Sequence, residues 1–163
     1  MAKAQAQLQR IKSALVGLPV THVWRGYGSS LFLEFGELRP RTRRDGSQGN
    51  PQGEMGLMIH WSWRIEGPRS ILCGSWSKER RWPAAFARLL DARVLEISMF
   101  GRLPEIDLGL SNGLHVVSLM TAEGQPQWTL FDRHDRKNQC WIRVKRGVLC
   151  FETTNTARAR RSS

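Results

Sequence analysis

Leu15-x-x-x-x-Val20-x-x-Val23 and, 74 residues further on, Leu89-x-x-x-x-Val94-x-x-Ile97 repeat one apolar spacing in the two halves of the chain. In each copy a helical pattern feeds an apolar strand, a Gly-marked turn follows at Gly36 or Asn112-Gly113, and a Trp-bearing strand comes after it. That strand carries Trp61 and Trp63 in the first copy and Trp128 in the second. Two such units each expose an apolar sheet face too large to leave in water, so they must cover one another. The expected fold is mainly β (α+β): an antiparallel β sandwich or partly open barrel built from two similar meander halves, with two short helices. Residues 1–154 should form a single globular domain, with halves at about 4–76 and 80–132 and a C-terminal hairpin at 139–152. Residues 155–163 are expected to be a disordered basic tail.

The individual elements follow from periodicity. Ala4, Leu8, Ile11 and Leu15 recur at intervals of 4, 3 and 4, which is one face of a helix, and Gly17 and Pro19 end it. Val20–Trp24 and Leu31–Phe35 read as strands. The Gly26-x-Gly28 between them opens a strand, not a helix, so it is a turn and not a phosphate-cradling loop. Met55, Leu57, Ile59, Trp61, Trp63 and Ile65 alternate through one long strand, and Ser70–Trp76 returns beside it. Pro83 opens a second helix presenting Trp82, Phe86 and Leu89, and Arg93–Phe100 leads to a hairpin at Asn112-Gly113, where both residues tolerate the positive φ of a type I′ turn. Gln127–Phe131 is a further strand, and Cys140–Val144 pairs with Val148–Glu152 across Lys145-Arg146-Gly147. Arg39–Gly53, with four Arg and no hydrophobic side chain, is expected to be a mobile loop, because it has no burial with which to offset its ordering entropy.

Composition narrows the class. The chain is 40% apolar with seven Trp, which excludes a disordered protein, and no run approaches the roughly 18 apolar residues of a membrane span. The start of the chain lacks a secretory apolar core, and three cysteines without C-x-x-C spacing support neither a disulfide framework nor a zinc site. A cytoplasmic location is expected. The net charge of +11 divides into +3 over residues 1–17, +2 over 18–130 and +6 over 131–163, so the body is nearly neutral and the excess lies at the ends.

Candidate chemistry is sparse. His22, His60, His115 and His134 have no metal-ligand spacing, and Gly74-Ser75-Trp76-Ser77-Lys78 lacks the closing glycine of a nucleophile elbow. Cys73 reads as a buried hydrophobe more readily than as a thiol activated by His60. Glu105 and Asp107 share a strand face as paired carboxylates would, and His134-Asp135 lies in a charged loop. From these patterns no catalytic, metal or cofactor residue is assigned, no cofactor is expected, and enzymatic activity is the weaker expectation. The strongest binding pattern is Arg133, Arg136, Lys137, Trp141, Arg143, Lys145 and Arg146, where cations alternate with a stacking ring as backbone binding of nucleic acid requires.

Leu15 to Trp24, followed by Leu31-Phe-Leu-Glu-Phe-Gly36 and then a tryptophan strand, resembles small single-domain bacterial proteins of unknown function. Some of these stand beside toxins as immunity-type proteins. The resemblance covers residues 14–132, carries no catalytic residues, and leaves the basic C-terminal hairpin outside it. The doubled meander, the seven Trp and the absence of a convergent site lead to the expectation of a non-enzymatic module that binds another protein, for which the resemblance implies an immunity-like form. Nucleic-acid binding through the C-terminal third is the alternative, a membrane is not expected as partner, and a homodimer is left open.

Overall fold

The computed structural model describes residues 2–123 and 127–155. Helix α1 (Ala2–Leu15) leads into strands β1 (Val20–Arg25), β2 (Leu31–Phe35) and β3 (Met55–Ile59), then β4 (Trp63–Glu66) and β5 (Ile71–Gly74). After a single 3-10 turn, helix α2 (Trp82–Ala87) leads into β6 (Val94–Phe100), β7 (Glu105–Leu110) and β8 (His115–Ser118), then β9 (Trp128–Asp132), β10 (Cys140–Lys145) and β11 (Val148–Thr153). One sheet runs β1-β2-β3-β9-β10-β11 and the other β5-β4-β8-β7-β6. Every pairing is antiparallel, and the two sheets pack as a sandwich that does not close into a barrel.

The two halves map onto each other strand by strand. Exchanging β1–β5 for β6–β10 converts the order β1-β2-β3-β9-β10 into β6-β7-β8-β4-β5, which is the other sheet. Local detail follows the same exchange. The ladder slips between Val20 and His22 in β1 and between Val94 and Glu96 in β6, one bulge at corresponding positions. Both helices run into residues with left-handed backbone, Gly17 (φ 90°) and Asp91 (φ 66°). Gly17 N–H donates to Val94 O and Asp91 N–H to Val20 O; Val94 N–H donates to Leu18 O and Val20 N–H to Ala92 O. Pro19 and Arg93 bridge at the centre of this reciprocal set. Trp63 donates its indole N–H to Ser29 O at 2.5 Å, and Trp128 donates to Pro104 O at 2.9 Å, each reaching the segment just before the second strand of a half.

Sequence and core agree where a side chain faces inward. Leu15, Val20, Leu89, Val94, Trp63 and Trp128 are all buried in one cluster with Leu8 and Ile11 of α1 and Trp82 of α2. Helix α1 packs against β11 and β6, and α2 against β5 and β1, so each helix spans from one sheet to the other.

Four local expectations are corrected. The alternating run from Met55 to Ile65 is two strands in different sheets, broken at residues 60–62, so Trp61 turns out to solvent while Ile59 and Trp63 stay buried. An even number of intervening residues would have reversed the alternation; the three at the corner preserve it and hide the break. Residues 39–53 are an ordered arm: Arg39 and Gln52 exchange both backbone hydrogen bonds (2.8 and 3.0 Å), Arg43 N–H donates to Ser47 O, and Asp45 accepts from the Ser47 amide and hydroxyl. Hydrogen bonding supplies the order that burial does not. The hairpin at residues 111–113 has positive φ at Gly113 alone, with Leu110 N–H donating to Leu114 O, so it is a three-residue loop and not a type I′ turn. The paired positive φ of that turn type occurs at Arg146 and Gly147. Lastly, the C-terminal hairpin is not external to the repeat, since β10 is the counterpart of β5 and, among the described strands, only β11 has no counterpart. The expected tail lies outside the described residues apart from Asn155, as do residues 124–126 of the loop before β9.

Candidate functional site

Register fixes which residues point outward from the six-stranded sheet. Trp24 pairs with Phe32, Phe32 with Met58, Met58 with Thr129, and Thr129 with Arg143, forming one row across the sheet. Beside it runs a second row of His22, Glu34, Gly56, Phe131, Trp141 and Glu152. Alternation requires these residues to face away from Leu33, Leu57, Leu130 and Ile142, which are buried between the sheets. Trp24 and Phe32 stack at 4.0 Å between ring centroids with planes 12° apart. Trp24, Phe32, Met58, Phe131 and Trp141 are all half-buried, so five large apolar side chains remain partly open on a face that no other layer of the described residues covers.

The charges on this face are paired off. Glu34, 1% exposed, accepts from Arg133 Nη1 at 2.7 Å and from the Gly53 amide at 3.0 Å. The Arg133 guanidinium lies 4.8 Å from the Phe131 ring centroid and is 8% exposed. Any side chain at position 56 would collide with Arg133 and Glu34, so Gly56 is what allows the pair to lie flat on the sheet. Glu152 accepts from Arg143 at 2.8 Å and from the Trp141 indole at 2.9 Å.

Among the seven residues expected to bind nucleic acid, then, Arg133, Trp141 and Arg143 are held by carboxylates of their own chain. Arg136, Lys137, Lys145 and Arg146 are exposed at the two ends of β10. Arg136 joins Arg39 and Arg133 around a groove of about 400 Å³ floored by Gly53. The arm meets this face where Asn50 Oδ1 lies 3.1 Å from His22 Nε2, and it carries Arg41, Arg43 and Arg44, all exposed.

The remaining candidates take up structural tasks. Glu105 is buried and accepts from the Ser118 hydroxyl and from the Met120 amide. Asp107 lies 2.7 Å from His115 Nδ1, so the two carboxylates do not act as a pair. His134 turns to Asp132 at 2.9 Å and not to Asp135, whose carboxylate caps the amides of Lys137 and Asn138 and is held below the usual carboxylate range by those bonds. Cys73 is buried, and burial with Asp132 nearby pushes the Cys140 thiol up. Among the described residues no group of three His, Cys, Asp or Glu is placed to hold a metal ion, and no helix is long and apolar enough to cross a membrane.

Sequence reasoning missed Trp24, Phe32 and Phe131 as outward residues, whereas alternation already set Met58 opposite Leu57. The available signal was the unbroken run Leu31-Phe-Leu, in which both sides of a strand are apolar. No family model, curated protein or solved structure matches this chain, so its function has to be argued from the face itself.

Proposed function

We propose that this chain is a non-enzymatic protein-binding module that docks through the outward side of the six-stranded sheet onto a protein with an acidic surface. The observation that carries this reading is the set Trp24, Phe32, Met58, Phe131 and Trp141 beside the groove of Arg39 and Arg136 and the adjoining arm that bears Arg41, Arg43 and Arg44. Trp, Phe, Met and Arg are the residues in which protein interfaces are enriched, and adjoining basic side chains steer an acidic partner into register. An immunity-like role, in which the face covers a second protein, is the form suggested by the sequence resemblance. Internal pairing of Arg133 and Arg143 and the anchoring of the Trp141 indole favour a protein over nucleic acid, because they remove two phosphate-binding cations and fix the ring.

The test is co-purification of the full-length protein from its native cell, with captured protein and nucleic acid both scored. It includes Met58→Asp, the charge reversal Arg41→Glu/Arg43→Glu/Arg44→Glu, and Trp76→Ala as a control on another surface. One acidic protein bound at constant stoichiometry should be lost at least tenfold by either of the first two and retained by the third. Capture of nucleic acid in its place, or a protein indifferent to Met58→Asp, would overturn the proposal.

A further inference from the structure

The exchange of halves leaves one position empty. Strand β11 extends the six-stranded sheet by pairing with β10 from Cys140↔Thr153 to Lys145↔Val148, and it lies beside α1. The counterparts of β10 and α1 are β5 and α2, and nothing in the described chain occupies the place beside them that corresponds to β11. The edge of β5 is open there. Between it and α2 runs a groove of about 630 Å³, lined by residues 70–72 on the strand side and by Arg80, Arg81, Ala84, Ala85 and Arg88 on the helix side. Room for it comes from residue size: the recurrence that aligns Leu15 with Leu89 places Ala84 and Ala85 where α1 carries Arg10 and Ile11.

We propose that this groove is a strand-binding slot that takes an extended acidic segment of another protein as a sixth strand of the five-stranded sheet, antiparallel to β5 as β11 is to β10. An open strand edge offers backbone donors and acceptors to any extended chain, and Ile71, 61% exposed at this edge, offers an apolar contact. Charge selects the occupant. Arg80, Arg81 and Arg88 are exposed, no carboxylate among the described residues lines the groove, and neighbouring Glu79 is engaged by Arg25 at 2.7 Å. The segments 1–17 and 153–163 are unsuited as occupants, because their charged side chains are all positive. A second copy docking edge to edge would bring two arginine triads together. The slot has a definite end: the Gly74 amide donates to Ser77 Oγ (3.0 Å), and Gly74 O accepts from Ser77 N–H (3.0 Å) and Trp82 Nε1 (3.1 Å). An incoming strand therefore pairs with residues 70–72 and leaves the Gly74 end alone. This surface is separate from the aromatic face, and the proposal does not depend on that one.

The test is selection of a random decapeptide display library on the immobilised full-length protein, with Arg80→Glu/Arg81→Glu/Arg88→Glu as counter-target and Met58→Asp as control. The expected winners alternate apolar and acidic residues, bind the arginine triple variant at least tenfold more weakly, bind Met58→Asp unchanged, and lose binding when alternate peptide amides are N-methylated. Hydrogen exchange with a winning peptide should slow at residues 70–72. No enrichment, enrichment that survives the triple variant, or protection elsewhere would overturn the slot. Because all three arginines are exposed, the triple variant is expected to keep the wild-type melting transition, which is checked by circular dichroism.

Discussion

The two sheets have the same strand order for five strands, the same bulge and an equivalent buried tryptophan, yet their outward faces differ. Where the six-stranded sheet shows Trp24, Phe32, Met58 and Phe131, the corresponding positions of the five-stranded sheet are Ser98, Asp107, Val117 and Glu66. Most inward positions stay apolar because both halves contribute to one close-packed core, with Ile59 against Ser118 as an exception. Outward positions carry no such obligation. The outward apolar side chains are thus gathered on the six-stranded sheet, the side on which the proposed docking surface stands.

Removing the paired tryptophans is the strongest way to break this comparison. Trp63 and Trp128 are 3% and 0% exposed and anchor equivalent backbone carbonyls. Trp63→Ala and Trp128→Ala should each cost about 3–5 kcal/mol in urea unfolding, while half-buried Trp24→Ala should cost less than about 2 kcal/mol. A Trp63→Ala loss below about 1 kcal/mol would show that the halves do not share the core equally.

A slightly smaller effect is expected at the Glu34–Arg133 pair, which has no equivalent because Gly109 stands at the corresponding position of β7. Arg133→Ala leaves a buried carboxylate with the Gly53 amide alone and should cost about 3 kcal/mol; adding Glu34→Gln should recover part of that loss. A double-mutant cycle with no coupling would show that the two side chains do not stabilise one another across the sheet.

What could be read from sequence follows the same division. Leu15, Val20, Leu89 and Val94 were legible because burial imposes a period, and burial is what both halves have in common. The break at residues 60–62 was hidden because Ile59 and Trp63 keep their inward phase across the change of sheet. The arm at residues 39–53 was misread because backbone hydrogen bonds leave little trace in composition. The Glu34–Arg133 and Glu152–Arg143 pairs join residues distant in sequence or across strands, and charge counts alone do not reveal them. The aromatic face was obscured because an apolar side chain reads as core wherever it points.

Backbone strain provides a finer probe. Gly17 and Asp91 occupy matched left-handed positions, and nothing lies within 4 Å of where a Cβ would stand on Gly17. Gly17→Ala should therefore cost about 1 kcal/mol from backbone conformation alone, measured as a shift of the urea midpoint. Asp91→Gly should be close to neutral, because relief of the same strain is offset by a more flexible unfolded chain.

The smallest expected effect separates the two crossovers between sheets. His60 N–H donates to Gln127 O at 3.0 Å, and Leu119 N–H, its counterpart, donates to Ser62 O at 3.0 Å. Of the two residues that donate these bonds, only His60 has a titratable side chain. Burial lowers the His60 pKa below its ordinary value, so the unfolded chain takes up the proton more readily than the folded one. This group's contribution to stability is complete above the unfolded value of 6.5 and is lost as pH falls through the lower folded value. His60 is half-exposed, so solvent screening keeps the loss small. Hydrogen exchange, corrected for intrinsic rates, should show the His60 amide losing protection relative to Leu119 between about pH 7 and pH 5, and His60→Leu should abolish that difference. Equal behaviour of the two amides in the wild type would mean that protonation at His60 does not disturb the crossover.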